Sequence, residues 1–393
     1  MKNKLKIAIL LDVSRAYDRA LLTGLTGYNK IHDRFVFFSY SPKYIHTGDD
    51  ADALIQRVIA WRPDGIFARE VVNLQALLEL GIPLIVAPHT SLYPAQINVW
   101  GDGMAMGREV AEYFISRGHK RFAFLGFKHF QWSLERQRGF TGRVGEAGAS
   151  VETFIFDNTN LLWEHLPEKL AVWLNTLKRP CAVFSATDEL SLLLLEAARE
   201  TGAKVPDDFS IIGADNDTMI CETASPTLSS VDQHVAPAGF DAAAALAGWI
   251  ERGDRPAGNI MVNSYSIVTR NSTNTLAVDD EQVRTALHYI TTTAPSEDIA
   301  VKDVVNATSL SRRILEKRFQ LMLKSSILDE IKKVRIARIK FLLEQSELTV
   351  QQIAYELNFR NDGNITRYFR QSTGLSPLEY RSRSKQATRQ TRG

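Results

Sequence analysis

Basic side chains recur at matching places near the carboxyl end of the chain. Two stretches, 311–323 and 362–372, each place apolar residues at the three- and four-residue spacing of a helix. The residues that this spacing turns away from the apolar face include Arg313, Lys317 and Arg367. Arg and Lys side chains donate well to the O6 and N7 atoms of guanine, so this pattern is suited to reading base edges in duplex DNA.

The two stretches belong to an internal repeat with a period of 49 to 50 residues. Phe319, for example, is matched by Phe369 fifty residues later. Each copy is predicted as a short helix, at about 302–308 or 350–357, followed by a tight turn and one of the two stretches. A short helix, a turn and a second helix with basic outward residues is typical of a helix-turn-helix motif, whose second helix enters the major groove.

A longer helix is predicted between the two copies, at about 327–345. It could hold two readers about one turn of DNA apart, roughly 34 Å. A generic helical bundle with a solvated basic face is the alternative interpretation of this region. The repeat favours the DNA reader.

Charge is distributed unevenly along the 393 residues. Residues 281–393 hold 20 Lys and Arg against 12 Asp and Glu, which leaves 27 basic and 33 acidic residues in 1–280. The carboxyl end therefore suits a polyanion and the remainder does not. By itself this asymmetry is equally compatible with an ordinary basic tail.

Several classes of protein are disfavoured by the motifs that the sequence lacks. Cys181 and Cys221 cannot make a disulfide framework or a four-ligand zinc site, and no apolar run approaches the ~20 residues of a membrane span. The first residues resemble a signal peptide, but Lys6 interrupts their apolar run and no cleavage site follows. Sequence motifs of hydrolases, metalloproteases and nucleotide-binding enzymes do not occur. We expect a cytoplasmic protein that is not an enzyme and that uses no cofactor or metal.

The first 270 residues alternate short apolar runs with helical patterns. Near-continuous apolar runs separated by helices indicate parallel sheets covered on both faces, and about a dozen strands suit two lobes better than one sheet. In such sheets ligands bind beyond the carboxyl ends of the strands. The apolar runs are 6–11, 35–40, 65–69, 83–87, 121–126, 181–186 and 209–214.

The carboxyl segment 281–383 resembles the AraC family of transcription regulators. The resemblance is carried by the second copy, LTVQQIAYELNFRNDGNITRYFRQSTGLSPLEYR at 348–381, with its Thr-Gly and Ser-Pro-x-x-Tyr-Arg elements. It implies base contacts from Arg313, Glu316 and Lys317 in the first copy and from Asp362, Gly363 and Arg367 in the second. The sequence departs from the family pattern twice: Lys324 replaces a usual turn glycine, and Gly363 offers no side chain at a contact position.

The first 270 residues resemble the sensor of the LacI family, which has a two-lobed, type I periplasmic-binding-protein-like fold. The matching stretches are RGHKRFAFLG (117–126), ERQRGF (135–140), ATDELS (186–191), VPDDFSIIGADND (205–217) and LSSVDQ (228–233). The resemblance implies a sugar site made by Tyr17, Asp18, Asp102, Arg136, Asp188, Asp215 and Gln233. Carboxylates accept from sugar hydroxyls, Arg136 donates in pairs, and Tyr17 can stack on the sugar.

Each of these residues also has a structural alternative. Asp18 and Asp102 could cap helices, Asp188 could open the helix at 188–201, and Asp215 could serve a turn. Arg136 could pair with an acidic neighbour, Glu135 or Glu196. The sequence leaves these alternatives open. His89 stands in Pro88-His89, where related sugar-binding proteins often carry Asp-Arg, so the resemblance indicates a sugar more firmly than any one sugar.

A LacI-like sensor followed by an AraC-type reader is the arrangement of xylose-operon regulators. This resemblance implies an activator of a pentose operon, an effector such as D-xylose, operator DNA and RNA polymerase as partners, and a homodimer. A sugar-transport receptor, or a sugar-modifying enzyme with an incidental basic tail, is the alternative. We expect the sensor at 1–270, a linker at 271–280, the all-α reader with two helix-turn-helix motifs at 281–385, and a disordered tail at 386–393.

Overall fold

The chain separates into two compact units, Met1–Thr273 and Asn274–Gly393. The computed structural model describes residues 4–39, 51–69, 74–157, 166–253, 255–273, 280–346, 348–359 and 361–390. Within these residues every strand lies in the first unit, and the second unit is helical. The predicted change of fold class near residue 280 is therefore confirmed.

The first unit alternates strands and helices. In chain order its elements are β1 (Leu5–Leu10), α1 (Ala16–His32), β2 (Phe35–Ser39), α2 (Ala51–Trp61), β3 (Gly65–Arg69), α3 (Leu74–Leu78), β4 (Leu84–Ala87), β5 (Ile97–Gly101), α4 (Gly103–Ser116), β6 (Phe122–Phe127), α5 (Gln131–Glu146), β7 (Val151–Phe156), α6 (Leu166–Thr176), β8 (Cys181–Ser185), α7 (Asp188–Glu200), β9 (Phe209–Ala214), α8 (Thr218–Thr223), β10 (Ser229–Asp232), α9 (Ala236–Arg252), β11 (Ile260–Val262), β12 (Ser266–Val268) and a 3-10 turn at Asn271–Thr273.

These elements form two six-stranded sheets, one in each lobe. The first sheet runs in the order β11-β5-β4-β3-β1-β2 and the second in the order β12-β10-β9-β8-β6-β7. All neighbouring strands are parallel except β10 and β12. The chain passes between the lobes after β5, after β10 and after β11, so three segments join them. This is the predicted two-lobed architecture.

The strands of the first sheet are buried on both faces, which explains their continuous apolar sequences. In β1, Ile7 and Ile9 pack into the cluster beneath α1 and α9, whereas Ala8 and Leu10 pack into the cluster beneath α2 and α3. All four side chains are at most 3 % exposed. Alternate residues of a strand point to opposite faces, so both faces need apolar residues here.

Two helices of the second lobe, α4 and α5, approach each other unusually closely. A Cβ atom on Gly107 would lie 2.2 Å from the carbonyl oxygen of Arg136, and one on Gly139 would lie 2.1 Å from that of Met104. Only glycine fits at such distances. These two glycines therefore set how deeply α5 sits and where Arg136 is held.

The second unit consists of seven helices among the described residues: α10 (Glu281–Thr293), α11 (Val301–Asn306), α12 (Arg312–Leu323), α13 (Ile327–Gln345), α14 (Val350–Glu356), α15 (Asp362–Thr373) and α16 (Pro377–Gln390). The pairs α11–α12 and α14–α15 are the two predicted helix-turn-helix motifs, and α13 is the predicted spacer. Asp280 caps α10, since its carboxylate accepts from the backbone N–H of Val283 at 3.1 Å.

Each motif has its own apolar cluster, and α13 contributes to both. Ile327 and Ile331 pack with Phe319 of the first motif. Ile339 and Leu343 pack with Phe369 of the second. On α12, Ile314 is 46 % exposed although it adjoins the apolar face of the helix. Leu315 is fully buried, and it shares its face of the helix with Phe319, four residues further on.

The structure differs from the expected boundaries at two places. Residues 271–273, expected in the linker, belong to the first unit, where the Ser272 hydroxyl donates to the carbonyl of Ile211 at 2.6 Å. Residues 386–390, expected in a disordered tail, continue α16. The remaining linker residues 274–279 and the last three residues 391–393 lie outside the described residues.

Candidate functional site

A cleft in the first unit lies where the strands of both sheets end. Arg69 closes β3, Gly101 closes β5, Asp215 follows β9 and Gln233 follows β10, and all four line the cleft. Five residues of the predicted sugar site meet there although the sequence separates them by up to 216 positions; they are Tyr17, Arg136, Asp188, Asp215 and Gln233.

A hydrogen-bonded group of three side chains forms the polar centre of the cleft. Arg136, on α5, is 6 % exposed and donates to the carbonyl of Ala186 and, at 3.3 Å, to the Asp215 carboxylate. Gln233 donates to the same carboxylate oxygen of Asp215. The buried Nε of Arg136 has no hydrogen-bond partner within the described part of the chain. Arg136 thus pairs with Asp215 rather than with Glu135 or Glu196.

The backbone at Asp215 is held in a conformation that side chains seldom adopt. Its φ is +98°, and that of the next residue, Asn216, is +47°. Such backbone is costly for residues other than glycine and persists where the surroundings enforce it. Here Asp215 N–H donates to Val231 at 3.0 Å and Asn216 N–H donates to the Ser230 hydroxyl at 3.0 Å. The strain aims the Asp215 carboxylate at Arg136 and Gln233.

Asp188 lines the cleft, but its oxygens are used inside the lobe. The hydroxyl of Ser230 donates to Oδ1 at 2.6 Å, and the N–H of Asp217 donates to Oδ2 at 2.8 Å. Asp188 is 1 % exposed. Burial raises the pKa of this carboxyl well above its usual range, and the nearby Asp215 carboxylate raises it further. Asp188 therefore supports the loop that carries Asp215.

The structure places Asp18 and Asp102 outside the set of residues that line the cleft. Asp18 is fully buried, where it accepts from the N–H of Asp12 and from Arg69, both at 2.8 Å. Asp102 caps α4 by accepting from the N–H of Ala105 at 2.9 Å. For Asp102 this is the capping role that the sequence left open, and for Asp18 it is an ion pair that the sequence did not indicate.

Arg69 and Trp132 line the cleft, although the sequence analysis did not single them out. Arg69 pairs with Asp18, and its guanidinium lies 5.5 Å from the ring centre of Tyr17. Trp132 places its ring 4.8 Å from the Arg136 guanidinium and donates to the carbonyl of His89 at 2.9 Å. Arg69 ends a strand that the sequence did predict, so the rule that ligands bind at strand ends would have found it. Trp132 lies within α5 and carried no such signal.

The cleft combines the groups that a small polyhydroxylated ligand requires. Arginine and amide donors, a carboxylate acceptor and three aromatic rings (Tyr17, Trp100 and Trp132) surround it. Burial raises the pKa of the Tyr17 hydroxyl above its usual range, so this hydroxyl stays protonated and able to donate.

The second helix of each motif in the C-terminal unit presents its predicted contact residues to solvent. Arg313, Lys317 and Arg367 are exposed, and none of them makes an ion pair with another described residue. Asp362 and Gly363 are also exposed, while Glu316 is half-buried. Leu315 and Phe319 in α12, and Ile365 and Phe369 in α15, are fully buried and anchor the opposite faces.

The first turn of α15 is held by local hydrogen bonds. Asn361 caps the helix by accepting from the N–H of Asn364 at 2.9 Å, and Asp362 accepts from the N–H of Gly363 at 2.9 Å. At the other end, Gly374 adopts a φ of +77° and its counterpart Lys324 adopts +52°. The usual turn glycine of the first motif is thus replaced by a lysine that keeps the left-handed backbone.

Among the described residues, every helix is too short or too polar to span a lipid bilayer.

Comparisons with known proteins agree with both halves of this arrangement. Residues 111–273 match the family of periplasmic binding protein-like domains, and residues 304–383 match a helix-turn-helix domain family. The chain is 26 % identical to the xylose operon regulatory protein of Escherichia coli K12 over 96 % of both chains. The chain is therefore a DNA-binding transcription regulator that joins a periplasmic-binding-protein-like domain to a C-terminal helix-turn-helix domain.

Further relatives span the whole regulator. The xylose operon regulatory protein of Haemophilus influenzae is also 26 % identical, over 96 % of the regulator and 98 % of the relative. A solved structure described as the xylose-binding transcription activator xylR shares its fold, with a TM-score of 0.77 and 24 % identity over 97 % of the regulator and 98 % of that chain. These relatives are transcription regulators and not enzymes, as the sequence predicts.

Proposed function

We propose that the cleft binds a pentose such as D-xylose and that the bound sugar turns the regulator into an activator of a pentose catabolic operon. The hydrogen-bonded group of Arg136, Asp215 and Gln233 carries this proposal. It offers a paired donor, a carboxylate and an amide within one small space, next to the aromatic ring of Trp132. A sugar presents vicinal hydroxyls and an apolar face, which match these groups.

The pentose is favoured by two considerations. The full-length relatives regulate xylose operons by name, and the related solved structure is described as xylose-binding. The buried Nε of Arg136 also has no partner among the described residues. An unpaired buried donor costs about 1–3 kcal/mol, which an oxygen of a bound sugar would recover. Tyr17, Asp215, Gln233, Arg69 and Trp132 complete the proposed contact set, with Asp188 and Asp18 in supporting positions and Asp102 as a helix cap.

The proposed DNA contacts lie on the solvent-facing sides of α12 and α15. Arg313, Lys317 and Arg367 read base edges, Glu316 accepts from cytosine N4, and Asp362 and Gly363 lie at the start of α15. A homodimer that works in the cytoplasm on operator DNA and recruits RNA polymerase follows from the resemblance to the xylose regulators. In this scheme sugar binding favours the arrangement of the dimer that is competent for DNA.

Calorimetry of the whole chain against D-xylose, L-arabinose, D-ribose and D-glucose tests the sugar proposal. We expect D-xylose to bind most tightly, and Arg136→Met to abolish the binding heat because it removes the unpaired Nε donor and the guanidinium that holds Asp215. Arg143→Met is the matched control on the same helix, since Arg143 pairs with Glu112 away from the cleft. Binding of D-xylose to the Arg136 variant with wild-type affinity would remove Arg136 from the site.

A further inference from the structure

A buried arginine stands at the boundary between the two helix-turn-helix motifs. Arg335 lies in the middle of α13, the helix that both motifs share, and is 3 % exposed. On its amino-terminal side α13 packs into the apolar cluster of the first motif through Ile331. On its carboxyl-terminal side it packs into the separate cluster of the second motif, beginning with Ile336. The guanidinium thus occupies the point where one apolar core gives way to the other.

Arg335 hydrogen-bonds to backbone on both sides of this boundary. Its Nη1 donates to the carbonyl of Glu297, in the segment that links α10 to α11 of the first motif. Its Nη2 donates at 2.9 Å to the carbonyl of Leu357, the C-cap residue that follows α14 and begins the turn of the second motif. A planar guanidinium has donors in fixed directions, so one side chain can join two carbonyls at a set separation.

Two further contacts strengthen the same junction. The Arg335 guanidinium lies 4.5 Å from the ring centre of Phe359, and this ring packs edge-on against Tyr368 of α15 at 5.4 Å. The side-chain amide of Asn358, in the left-handed position of the turn with φ +56°, donates to the carbonyl of Ser296 at 3.0 Å. The turn of the second motif is therefore fastened to the first motif.

The turn of the first motif is held differently. Gln282 on α10 accepts from the N–H and the hydroxyl of Ser309 at 2.8 and 2.9 Å, so this turn is held by the helix that precedes its motif and not by the second motif. The cross-motif contacts at Arg335 thus have no counterpart in the first copy of the repeat.

We propose that Arg335 is a positioning residue that fixes the orientation of α15 relative to α12, and hence the spacing of the two DNA segments that one chain can read at once. The consequence for DNA rests on the proposed reading by both helices, whereas the orientation itself does not. Lysine cannot replace the residue, because its single ammonium cannot reach two carbonyls while it lies over an aromatic ring. Arg335 does not itself face the DNA. It acts on the exposed DNA-contact residues only indirectly, through α13 and the turn of the second motif.

The orientation can be measured without DNA in the full chain. Nitroxide labels at Gln320→Cys in α12 and Gln371→Cys in α15 report the distance between the two reading helices by electron–electron double resonance; the native cysteines are buried and stay unlabelled. We expect a narrow distance distribution in the parent and a wider one in Arg335→Met and Arg335→Lys. Arg338→Met, three residues along α13 with its guanidinium over Phe341, is the matched control and should keep the narrow distribution.

A merely structural role gives a different result. In that case Arg335→Met would lower the melting temperature while the distance distribution stayed narrow, and the proposal would be overturned. If Arg335→Met does not fold, Arg335→Lys and Asn358→Ala, which weaken the junction by other means, decide the question in the same measurement. Unchanged distributions in both would equally overturn it.

A DNA-binding experiment distinguishes a failure of this proposal from a failure of the proposed function. Selection of duplexes from random sequence by the wild-type chain is expected to give a two-part site, with one part for α12 and one for α15. The same site with one part scrambled then gives the affinity for a single part. Loss of a fixed orientation lowers the benefit of joining two readers, so we expect Arg335→Lys to weaken the two-part site by roughly tenfold and the single-part site by less than about twofold. If the wild type selects only a single part, reading by both helices fails while the distance measurement still judges the role of Arg335.

Discussion

The candidate binding residues are of two kinds. Some keep a hydrogen-bonding group available for a ligand or for DNA, whereas others use their hydrogen-bonding groups within the protein. Arg136 keeps an unpaired buried Nε, and Arg367 keeps an exposed guanidinium. Asp18 and Asp188 have the residue type of ligand contacts, yet all their recorded hydrogen bonds serve the protein itself. Residue type alone does not separate these two groups.

Replacing Arg367 with alanine should weaken binding to the selected DNA site by about 1–3 kcal/mol and relax the preference at one base pair, because it removes a base-edge donor. Binding titrations against a panel of single-base variants measure both effects. Arg370→Ala, an exposed arginine in the last turn of the same helix, is the charge-matched control and should weaken all sequences alike. A uniform loss for Arg367→Ala would identify Arg367 as a phosphate contact instead.

Acid should destabilise the first unit through His119. Its ring is 7 % exposed, and neither nitrogen has a partner among the described residues. Burial, with the nearby Arg117 charge, lowers the pKa of His119 to about 4. The unfolded chain, with a pKa near 6.5, then binds more protons between these values, so stability falls as pH falls through this window. From pH 7 to pH 5 the loss should be about 2 kcal/mol.

Urea unfolding at both pH values measures this loss. His119→Phe, which retains an aromatic ring against Phe114, should abolish the part of the pH dependence that belongs to His119. An equally steep loss in that variant would assign the acid sensitivity to other groups.

Helix packing decides where the ligand-binding arginine is held. Arg136 projects from α5, and α5 lies deep against α4 only because Gly107 and Gly139 carry no side chains. The same logic applies to the C-terminal unit, where α13 supplies one side of two apolar clusters. The position of each functional side chain is thus set by the element that carries it and by the elements packed against that one.

Two glycines of α5, one packed against α4 and one not, provide a direct test. Gly139→Ala should destabilise the chain and weaken D-xylose binding, since its Cβ would meet the backbone of Met104 at 2.1 Å and push α5 outward. Gly142→Ala, one turn later with nothing within 4 Å of its Cβ, should leave binding unchanged and stabilise the helix by about 0.5–1 kcal/mol. Calorimetry and thermal unfolding of both variants decide; equal behaviour of the two would contradict the close-packing argument.

For the whole molecule, the sensor and the reader are separate compact units in one chain. If sugar strengthens DNA binding by some factor, DNA must strengthen sugar binding by the same factor, because the two equilibria are linked. This coupling requires the connection between the units, whereas each binding reaction requires only its own unit.

A chain ended after residue 275 should therefore bind D-xylose with the intrinsic affinity of the sensor and no longer retain operator DNA. Calorimetry and gel-shift assays on the shortened and full chains measure the two properties. The full chain should show tighter sugar binding when operator DNA is present, and the shortened chain should not respond to DNA. Retention of operator DNA by the shortened chain would show that the division of functions between the units is wrong.

The sequence was most informative where structure is local. The helix-turn-helix motifs follow from helical spacing and a repeat that lie within about 50 residues, and their helices match the prediction within two residues, with α13 at the predicted bounds. The strands of the first unit were visible as apolar runs, because a strand buried on both faces needs apolar residues throughout. Short strands such as β11 and β12, with three residues each, were missed since such runs are too short to show a period.

By itself, then, the sequence determined the two kinds of fold, the order of sensor and reader, and the strand ends at which a ligand can bind. Only the tertiary structure decided which carboxylate faces the cleft, that Arg69 and Trp132 join it, and that Arg335 fastens one DNA-reading motif to the other. Each of these depends on a partner distant in sequence, as when Arg136 meets Asp215. Periodicity records which face of an element is buried, whereas the partner of a buried polar group is chosen only when the elements pack.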